Sequence, residues 1–185
     1  MYKRQIEKCD TYIIDFQGEP IVTKFEFLKA LAIARVYGFK EYEKALTFIK
    51  LNYSSTIEGK EAERILDDVL PTVKNDRFLK NDLSDNYKIV YQFDTVSNSD
   101  IDSQITTLKK YIDKVDYLDL TVSEDFYNNI VTFVVVHGLK SYDGSLGLAE
   151  RLENSIDIQA KSFFVISTDN YKTIQIHKNL DKFEK

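Results

Sequence analysis

Disulfide bonds and long apolar segments are both missing from this sequence. Its 185 residues include one cysteine, Cys9, and two prolines, Pro20 and Pro71. A single cysteine cannot form an internal disulfide, so the chain is compatible with a reducing or an oxidising compartment. No apolar run approaches the roughly 20 residues that span a bilayer, and the opening MYKRQIEK lacks the apolar core of a signal peptide. We therefore expect any targeting segment to lie outside this sequence.

Clustered positive charge is also missing. The chain has 25 Lys and Arg residues against 30 Asp and Glu residues, which gives a formal net charge of −5. Proteins that bind a phosphate backbone need clustered Lys and Arg to displace counterions, so we expect no nucleic-acid partner. The apolar content of 43% is sufficient for a hydrophobic core, and the sequence is typical of a globular protein.

Residues 1–72 carry apolar side chains at helical spacing, separated by short segments of helix-breaking residues. The GEP segment at residues 18–20 ends the first predicted helix, and Gly38 ends the second. The TKFE segment at residues 23–26 matches a capping box, in which a Thr side chain and a Glu side chain satisfy free backbone amides. We predict that the second helix begins there.

Two further helices are predicted on either side of a short SSTIEG segment. Ser55 with Glu58 predicts a second capping box, so the two helices should be antiparallel neighbours. Small residues at Ala45 and Ala62 favour close helix packing, as in tetratricopeptide-like (TPR-like) repeats, although a generic helix bundle is the open alternative. The apolar stripes of these helices consist of Tyr42, Ala45, Leu46, Ile49 and Tyr53, and of Ala62, Ile65, Leu66 and Val69.

A linker is predicted at residues 73–86, where charged and amide residues dominate without a period. Beyond it, alternating apolar residues indicate strands, and residues 87–185 are predicted to form a ferredoxin-like α/β domain with a helical tail. The fold class is therefore α+β. The predicted order is strand 87–93, helix 100–115, strands 117–122 and 130–136 joined through Asn128 and Asn129, helix 141–154 and strand 162–167.

His137 is the residue that most resembles a catalytic group. We expect it at the end of a central strand, with Gly138 beginning the turn into the next helix. The nearby segment at residues 144–147 lacks one residue of the Gly-x-Ser-x-Gly motif that holds a hydrolase nucleophile. Neither His137 nor His177 has a partner at metal-ligand spacing. We therefore expect no active site, no metal and no cofactor.

One face of the predicted sheet is a candidate interaction surface. If Ile89, Tyr91 and Phe93 face the two helices, the alternate side chains of that strand face away from them. Such a partly apolar face packs on another domain of the chain, a partner protein or a ligand. The candidate interaction residues are Lys88, Val90, Gln92, Asp119 and Thr121.

Three segments resemble a known family. Residues 18–66, from GEPIVTKFEFLKA to EAERIL, resemble the last tetratricopeptide-type repeats of the SprE/PorW family of lipoproteins. VVHGLKSYDGSLGLAERL at residues 135–152 and FFVISTDNYKTIQIHKNLDKFEK at residues 163–185 resemble the C-terminal module of the same family. The chain departs from the pattern at Ser54, where helical-repeat lipoproteins commonly carry proline. That difference affects only a turn.

The resemblance implies a C-terminal fragment of a component of the type IX secretion system of Bacteroidota. Such a protein is attached to the periplasmic side of the outer membrane by a lipid anchor and supports secretion and gliding motility. It acts as a scaffold without an active site, and its partners are protein components of the secretion apparatus.

Three functional hypotheses follow from the residues and the resemblance together. The first is an interaction module for secretion components. The second is a peptidoglycan-binding or glycan-binding module that uses the open sheet face, including Lys88, Gln92 and Thr121. The third is a small enzyme in which His137 acts as a general base or nucleophile.

Overall fold

The fold is α+β, with helices and one antiparallel sheet. The computed structural model describes residues 2–80, 84–94, 98–114 and 119–183. It divides into two compact units: a helical unit, Met1–Arg77 with Thr173–Lys185, and a sheet unit, Phe78–Lys172. The predicted division placed the tail with the sheet domain, whereas the structure groups residues 173–185 with the helices.

The helical unit is built from consecutive helices that pack against their sequence neighbours. Its buried core includes Leu46 and Ile49 from the predicted stripe, together with the small side chains of Ala30 and Ala62. Gly38 ends the second helix as predicted, with a φ of 81° that a residue with a Cβ rarely adopts. The elements are α1 Tyr2–Asp15, α2 Val22–Tyr37, α3 Phe39–Asn52, α4 Ile57–Arg64, a π-helical turn Ile65–Val69, and α5 Leu70–Val73.

The start of α2 differs from the predicted capping box at residues 23–26. The backbone is already helical at Ile21, with φ −69° and ψ −19°. A capping threonine needs an extended backbone, and Thr23 instead lies inside the first turn. Its hydroxyl lies 3.1 Å from the carbonyl oxygen of Pro20 and 2.9 Å from Oε2 of Glu58. The predicted cap is therefore wrong, because Thr23 serves a contact between helices.

The turn before α4 is capped one residue later than predicted. Thr56, and not Ser55, caps the helix, and its hydroxyl accepts a hydrogen bond of 3.0 Å from the amide of Gly59. A Cβ on Gly59 would lie 1.9 Å from the carbonyl oxygen of Tyr53, so the tight turn requires glycine there. Glu58 does not complete a capping box, because its carboxylate binds the hydroxyl of Thr23.

The fourth helix is interrupted where a continuous helix through Val69 was predicted. The turn Ile65–Val69 is π-helical, and the amide of Leu70 donates to the carbonyl of Ile65. Pro71 follows directly. In a regular α-helix its ring would clash with the carbonyl four residues earlier, and the wider turn relieves that clash. Residues 74–80 then form no regular secondary structure, and residues 81–83 of the predicted linker lie outside the described residues.

Leu79 is hydrogen-bonded to Asn170 within the sheet unit. The amide of Leu79 donates to the side-chain oxygen of Asn170 at 2.7 Å, and the side-chain nitrogen of Asn170 donates back to the carbonyl of Leu79 at 2.9 Å. Asn170 is buried. Both polar ends of its amide are therefore satisfied by one residue.

The C-terminal helices are α8, Thr168–His177, and α9, Leu180–Phe183. His177 hydrogen-bonds through Nε2 to the carbonyl of Val73 over 2.9 Å, and Lys182 forms an ion pair of 2.7 Å with Asp76. Because a carbonyl can only accept, His177 carries its proton on Nε2. These contacts explain why the tail belongs to the helical unit.

The sheet unit follows the predicted order of strands and helices. Its sheet has the strand order β2-β3-β1-β4, and every neighbouring pair is antiparallel. Ile89, Tyr91 and Phe93 lie in the core with apolar residues of both helices, as predicted. The elements are β1 Tyr87–Asp94, α6 Asn98–Lys114, β2 Thr121–Phe126, β3 Val131–Leu139, α7 Tyr142–Ser155 and β4 Ser162–Ser167.

Strand β2 lies later in the chain than predicted. It spans Thr121–Phe126 rather than residues 117–122, of which the first two lie outside the described residues. The side-chain oxygen of Asn128 accepts from the amides of Ile130 and Val131, both at 2.8 Å. This asparagine closes a tight hairpin, so the strand continues up to Phe126.

Candidate functional site

Lys88 and His137 are brought together by a bulge between β1 and β3. The strand β3 continues through His137 and Gly138 to Leu139, so the predicted end of the strand before Gly138 is wrong. Tyr87 pairs with Leu139, whereas Ile89 pairs with Val136. Two residues of β3, His137 and Gly138, therefore lie opposite Lys88 alone. An extra residue on one strand re-aims the neighbouring side chains.

Glycine is required at the bulge. Gly138 has a φ of 93°, and a Cβ there would lie 2.4 Å from the carbonyl oxygen of Asp119. Asp119 itself has a φ of 74°, in the left-handed region that aspartate tolerates better than most residues. The two unusual backbone positions allow β2 and the end of β3 to approach closely beside His137.

Five side chains form one hydrogen-bonded network on the sheet face that points away from α6 and α7. We call it the sheet network. Its distances are Lys88 Nζ to His137 Nδ1 2.9 Å, His137 Nε2 to Ser123 Oγ 2.7 Å, Ser123 Oγ to Asp125 Oδ1 2.9 Å, and Tyr171 OH to Asp125 Oδ2 2.6 Å. Lys88 also lies 5.7 Å from the centre of the Tyr171 ring.

The positions of the protons follow from what each group can donate. An ammonium group only donates, so Nδ1 of His137 accepts from Lys88 and Nε2 carries the proton. Nε2 therefore donates to Ser123, which uses its own proton for the carboxylate of Asp125. Tyr171 donates to the other oxygen of that carboxylate. The hydrogen bonds from Lys88 through His137 and Ser123 therefore run in one direction to the Asp125 carboxylate, which accepts from Tyr171 as well.

The electrostatic environment favours a neutral histidine. Burial lowers the pKa of His137, the Lys88 charge lowers it further, and Asp125 acts in the opposite direction. The pKa of Lys88 is also lowered, mainly by burial and in part by Lys172, while Asp125 opposes the shift. The positive charge of Lys88 beside Nδ1 disfavours a second positive charge on the imidazole ring.

This arrangement does not activate a nucleophile. A serine nucleophile needs a base that accepts its proton, whereas Nε2 of His137 donates to Ser123. The serine proton is directed at Asp125 instead. Across residues 2–80, 84–94, 98–114 and 119–183, no group of three or more His, Cys, Asp or Glu side chains could hold a metal ion. The sheet network links side chains of β1, β2, β3 and α8 by hydrogen bonds.

The structure places the five predicted interaction residues in different environments. Val90 and Gln92 are 0% and 8% exposed, so a partner cannot reach them in this conformation. Lys88 is half-buried and belongs to the sheet network. Asp119 and Thr121 are exposed at the start of β2. These residues therefore do not form one continuous exposed surface.

Three members of the sheet network were not predicted. Ser123 and Asp125 lie two residues apart, which places both on the same face of a strand, but they follow the predicted strand 117–122. Tyr171 reaches the network from α8, beyond the last strand. The correct position of β2 would have identified the serine and the aspartate, while the tyrosine required the packing of a helix.

The helical unit has a different kind of candidate site, an exposed apolar surface. Among the described residues, fourteen large apolar side chains are exposed, and eleven of them lie before position 78. A groove of about 650 Å³ is lined by α1 and α2 together with Tyr42 of α3. A second groove of about 540 Å³ is also lined by residues of α1, α2 and α3. Contiguous exposed apolar surface is typical of protein-protein contact sites.

The comparisons with known proteins identify no relative. No protein-family model matches the sequence, and neither a curated protein nor a solved structure matches it. Within the described part of the chain, no helix has the length and apolar character needed to cross a membrane.

Proposed function

We propose that this chain is a non-enzymatic scaffold that binds other proteins through its helical unit. The observation that carries the proposal is the concentration of exposed large apolar side chains on the helices. Helix α2 supports it, because its apolar residues point in all directions although part of its surface, including Leu28, Leu31 and Tyr37, is exposed. A helix that is apolar all round is normally covered. A partner protein provides the missing cover.

Two finer descriptions of the fold belong to this proposal. The strand order β2-β3-β1-β4, with the helices of the core on one side, supports a ferredoxin-like arrangement of the sheet unit. Sequential helix pairing and the buried alanines Ala30 and Ala62 support TPR-like packing of the helical unit. Such repeats present extended surfaces to other proteins.

The cellular setting that we propose comes from the resemblance to the SprE/PorW family. In that setting the chain is part of a periplasmic lipoprotein attached to the outer membrane. Its partners are protein components of the type IX secretion apparatus, and it supports secretion and gliding motility. The absence of an activated nucleophile in the sheet network is consistent with a scaffold.

Affinity capture from membrane extracts of a gliding Bacteroidota strain tests this proposal. The tagged full chain should recover identified components of the secretion apparatus after chemical crosslinking. A variant with Phe48→Ser and Leu51→Ser, two exposed positions on α3, and a matched variant with Ile130→Ser on the sheet unit measure which unit is responsible. Recovery of no secretion component by the unaltered chain rejects the proposed setting, and equal loss in the Ile130 variant rejects the helical surface.

Glycan binding by the sheet face is the alternative function, and it has weaker support. Gln92 is buried and Lys88 is hydrogen-bonded to His137, which leaves Thr121 as the exposed member of the three residues proposed for contact. Sedimentation with purified peptidoglycan tests this alternative. Binding that is lost in Thr121→Ala but retained when Phe48 and Leu51 are changed to Ser favours the glycan function.

A further inference from the structure

The groove along α1 and α2, which we call the α1–α2 groove, has an apolar floor and a positively charged rim. The side chains that define it are Tyr12, Phe25, Leu28 and Leu31, with Lys8 and Arg35 at the rim. Tyr12, Leu28 and Leu31 are 41%, 54% and 42% exposed. Three large apolar side chains in one groove are more than the scattered apolar residues of an ordinary surface.

The shape of the groove matches a helix as its occupant. Leu28, Leu31 and Arg35 recur at intervals of three and four residues, so they form one stripe along α2. Lys8 and Tyr12 are four residues apart on α1 and form the facing stripe. The stripe on α2 is about 10 Å long, or roughly two helical turns. Ala32, which is buried on the floor, leaves room between the two stripes.

The charge of the groove indicates what the partner carries. None of the described residues that line it is a carboxylate, although the whole chain has a net charge of −5. Neither Lys8 nor Arg35 forms an ion pair with a described residue. The rim is therefore a local concentration of positive charge on an acidic protein.

The second groove of the helical unit lacks this charge bias. Its lining includes Glu26, Lys29, Glu41 and Lys44. Lys44 pairs with Glu41 at 2.6 Å, and Lys29 pairs with Asp10 at 2.6 Å. Charges that are already paired within the chain give a partner little electrostatic gain. Because its charged side chains form no ion pairs with described residues, the α1–α2 groove is the one in which a charged partner gains more.

We propose that the α1–α2 groove binds an amphipathic helix of a partner protein, with Leu or Phe on its apolar face and Asp or Glu along its edges. This rests on the proposed function, because it names the partner that the helical unit takes. The binding mode is a helix in an apolar groove, read by anchors at i, i+3, i+4 and i+7. Tyr12 and Arg35 belong to the residue types that dominate the energy of such interfaces.

A synthetic peptide containing tryptophan tests this inference, because the chain has no tryptophan of its own. The probe is a helix-favouring peptide of about 16 residues, roughly 24 Å long, with Leu residues and one Trp on one face and Glu on the other. The matched peptides are a Lys-for-Glu version and a scrambled version of the same composition. The Glu peptide should bind saturably to the full chain with a blue shift of Trp emission, and at least about tenfold more tightly than the Lys peptide.

Two variants and one control locate the binding. Leu31→Ser should weaken binding of the Glu peptide by about tenfold or more. Arg35→Glu sets a carboxylate beside the remaining Lys8, so it should abolish the preference for the Glu peptide over the Lys peptide, which a merely destabilised protein would not do. Ile130→Ser is the control, since Ile130 is exposed on the sheet unit and does not line the groove. It should leave the affinity unchanged, and thermal unfolding confirms that each variant is folded.

The outcomes separate this inference from the proposed function. Equal binding of the Glu and scrambled peptides, no blue shift, or an unchanged preference in folded Arg35→Glu overturns the assignment of the groove. If secretion components are nevertheless captured by the full chain, the scaffold function stands and only the partner chemistry is wrong. If the peptide binds as expected and no secretion component is captured, the groove stands and the proposed cellular setting is wrong.

Discussion

The sheet unit and the helical unit differ in how their polar groups are paired and in how much apolar surface they expose. In the sheet unit, Lys88, His137, Ser123 and Asp125 are joined in one hydrogen-bonded chain, and most of the large apolar residues are buried. In the helical unit, large apolar side chains remain exposed along the helices, and many of the charges form surface ion pairs.

The difference indicates which unit has apolar surface that a partner could cover. Polar groups that are satisfied inside a unit contribute to its stability and register. Apolar surface that remains exposed gains free energy when a partner covers it, by roughly 25 cal/mol per Å² of area removed from water. His137, the residue that first suggested chemistry, thus lies in the unit whose polar groups are hydrogen-bonded internally, and the proposed binding surface lies in the other unit.

The largest expected effect is at the bulge of the sheet unit. Gly138→Ala forces a left-handed backbone on a residue with a Cβ and places that Cβ against the carbonyl of Asp119. We expect a loss of roughly 2–4 kcal/mol in the free energy of unfolding, measured by urea denaturation followed by circular dichroism. Gly147→Ala is the matched control. Its Cβ meets nothing within 4 Å inside α7, so a gain of up to about 1 kcal/mol is expected.

The second effect is a pH dependence that belongs to the helical unit. Burial and Arg35 lower the pKa of Lys178 from 10.5 to about 8. Below pH 8 the folded and unfolded states are both protonated, and the cost of burying the charge is fully present. Between pH 8 and 10.5 the folded state loses its proton first, so stability rises with pH, by at most about 3 kcal/mol.

Lys178→Met is the control for the pH range from 8 to 10.5, because it keeps a side chain of similar length and removes the charge. The unaltered chain should gain stability relative to this variant as the pH rises from 8 to 10.5, and the variant should be the more stable of the two at pH 7. An identical pH profile for both chains contradicts the shift.

The third effect sharpens the claim that the sheet network is internally satisfied. Asp125→Asn replaces the anion that accepts from Ser123 and Tyr171 with an amide that turns a donor toward one of them. We expect a loss of roughly 1–3 kcal/mol in the free energy of unfolding. The neighbouring Glu124 is exposed on β2, and Glu124→Gln should change stability by less than about 0.5 kcal/mol. Equal losses in the two variants contradict a specific role for Asp125.

The smallest expected effect is on the surface of the helical unit. Leu28→Ser removes a side chain that is more than half exposed, so the free energy of unfolding should change by less than about 0.5 kcal/mol. Thermal unfolding measures this change. A loss above about 2 kcal/mol would mean that Leu28 is part of the core, and the contrast between the two units would then be wrong.

The order of strands and helices along the sheet unit, and the side of β1 that faces the core, could be predicted from the sequence. Alternation in β1 identified Ile89, Tyr91 and Phe93 as core residues, and helical spacing in α3 identified Leu46 and Ile49. These patterns are local and repeat every two or every three to four residues. Gly38 as a helix terminus could be predicted for the same reason, since its conformation is a local requirement.

The parts that could not be predicted depend on contacts between distant residues. Thr23 and Glu58 both matched capping motifs, but their side chains bind each other across 35 positions of sequence. At the bulge, two residues of β3 lie opposite Lys88. This extra residue interrupts the alternation of apolar and polar residues by which strands are predicted. A network drawn from three strands and a helix has no sequence spacing of its own, so the candidate site required the fold.

The central claim is that the helical unit, and not the sheet unit, binds the partner. Hydrogen exchange of the full chain, with and without the acidic tryptophan peptide, tests it most directly. We predict slower amide exchange in α1 and α2 when the peptide is bound, with the strands β1, β2 and β3 unchanged. Slower exchange in the sheet strands, with α1 and α2 unaffected, would contradict the account.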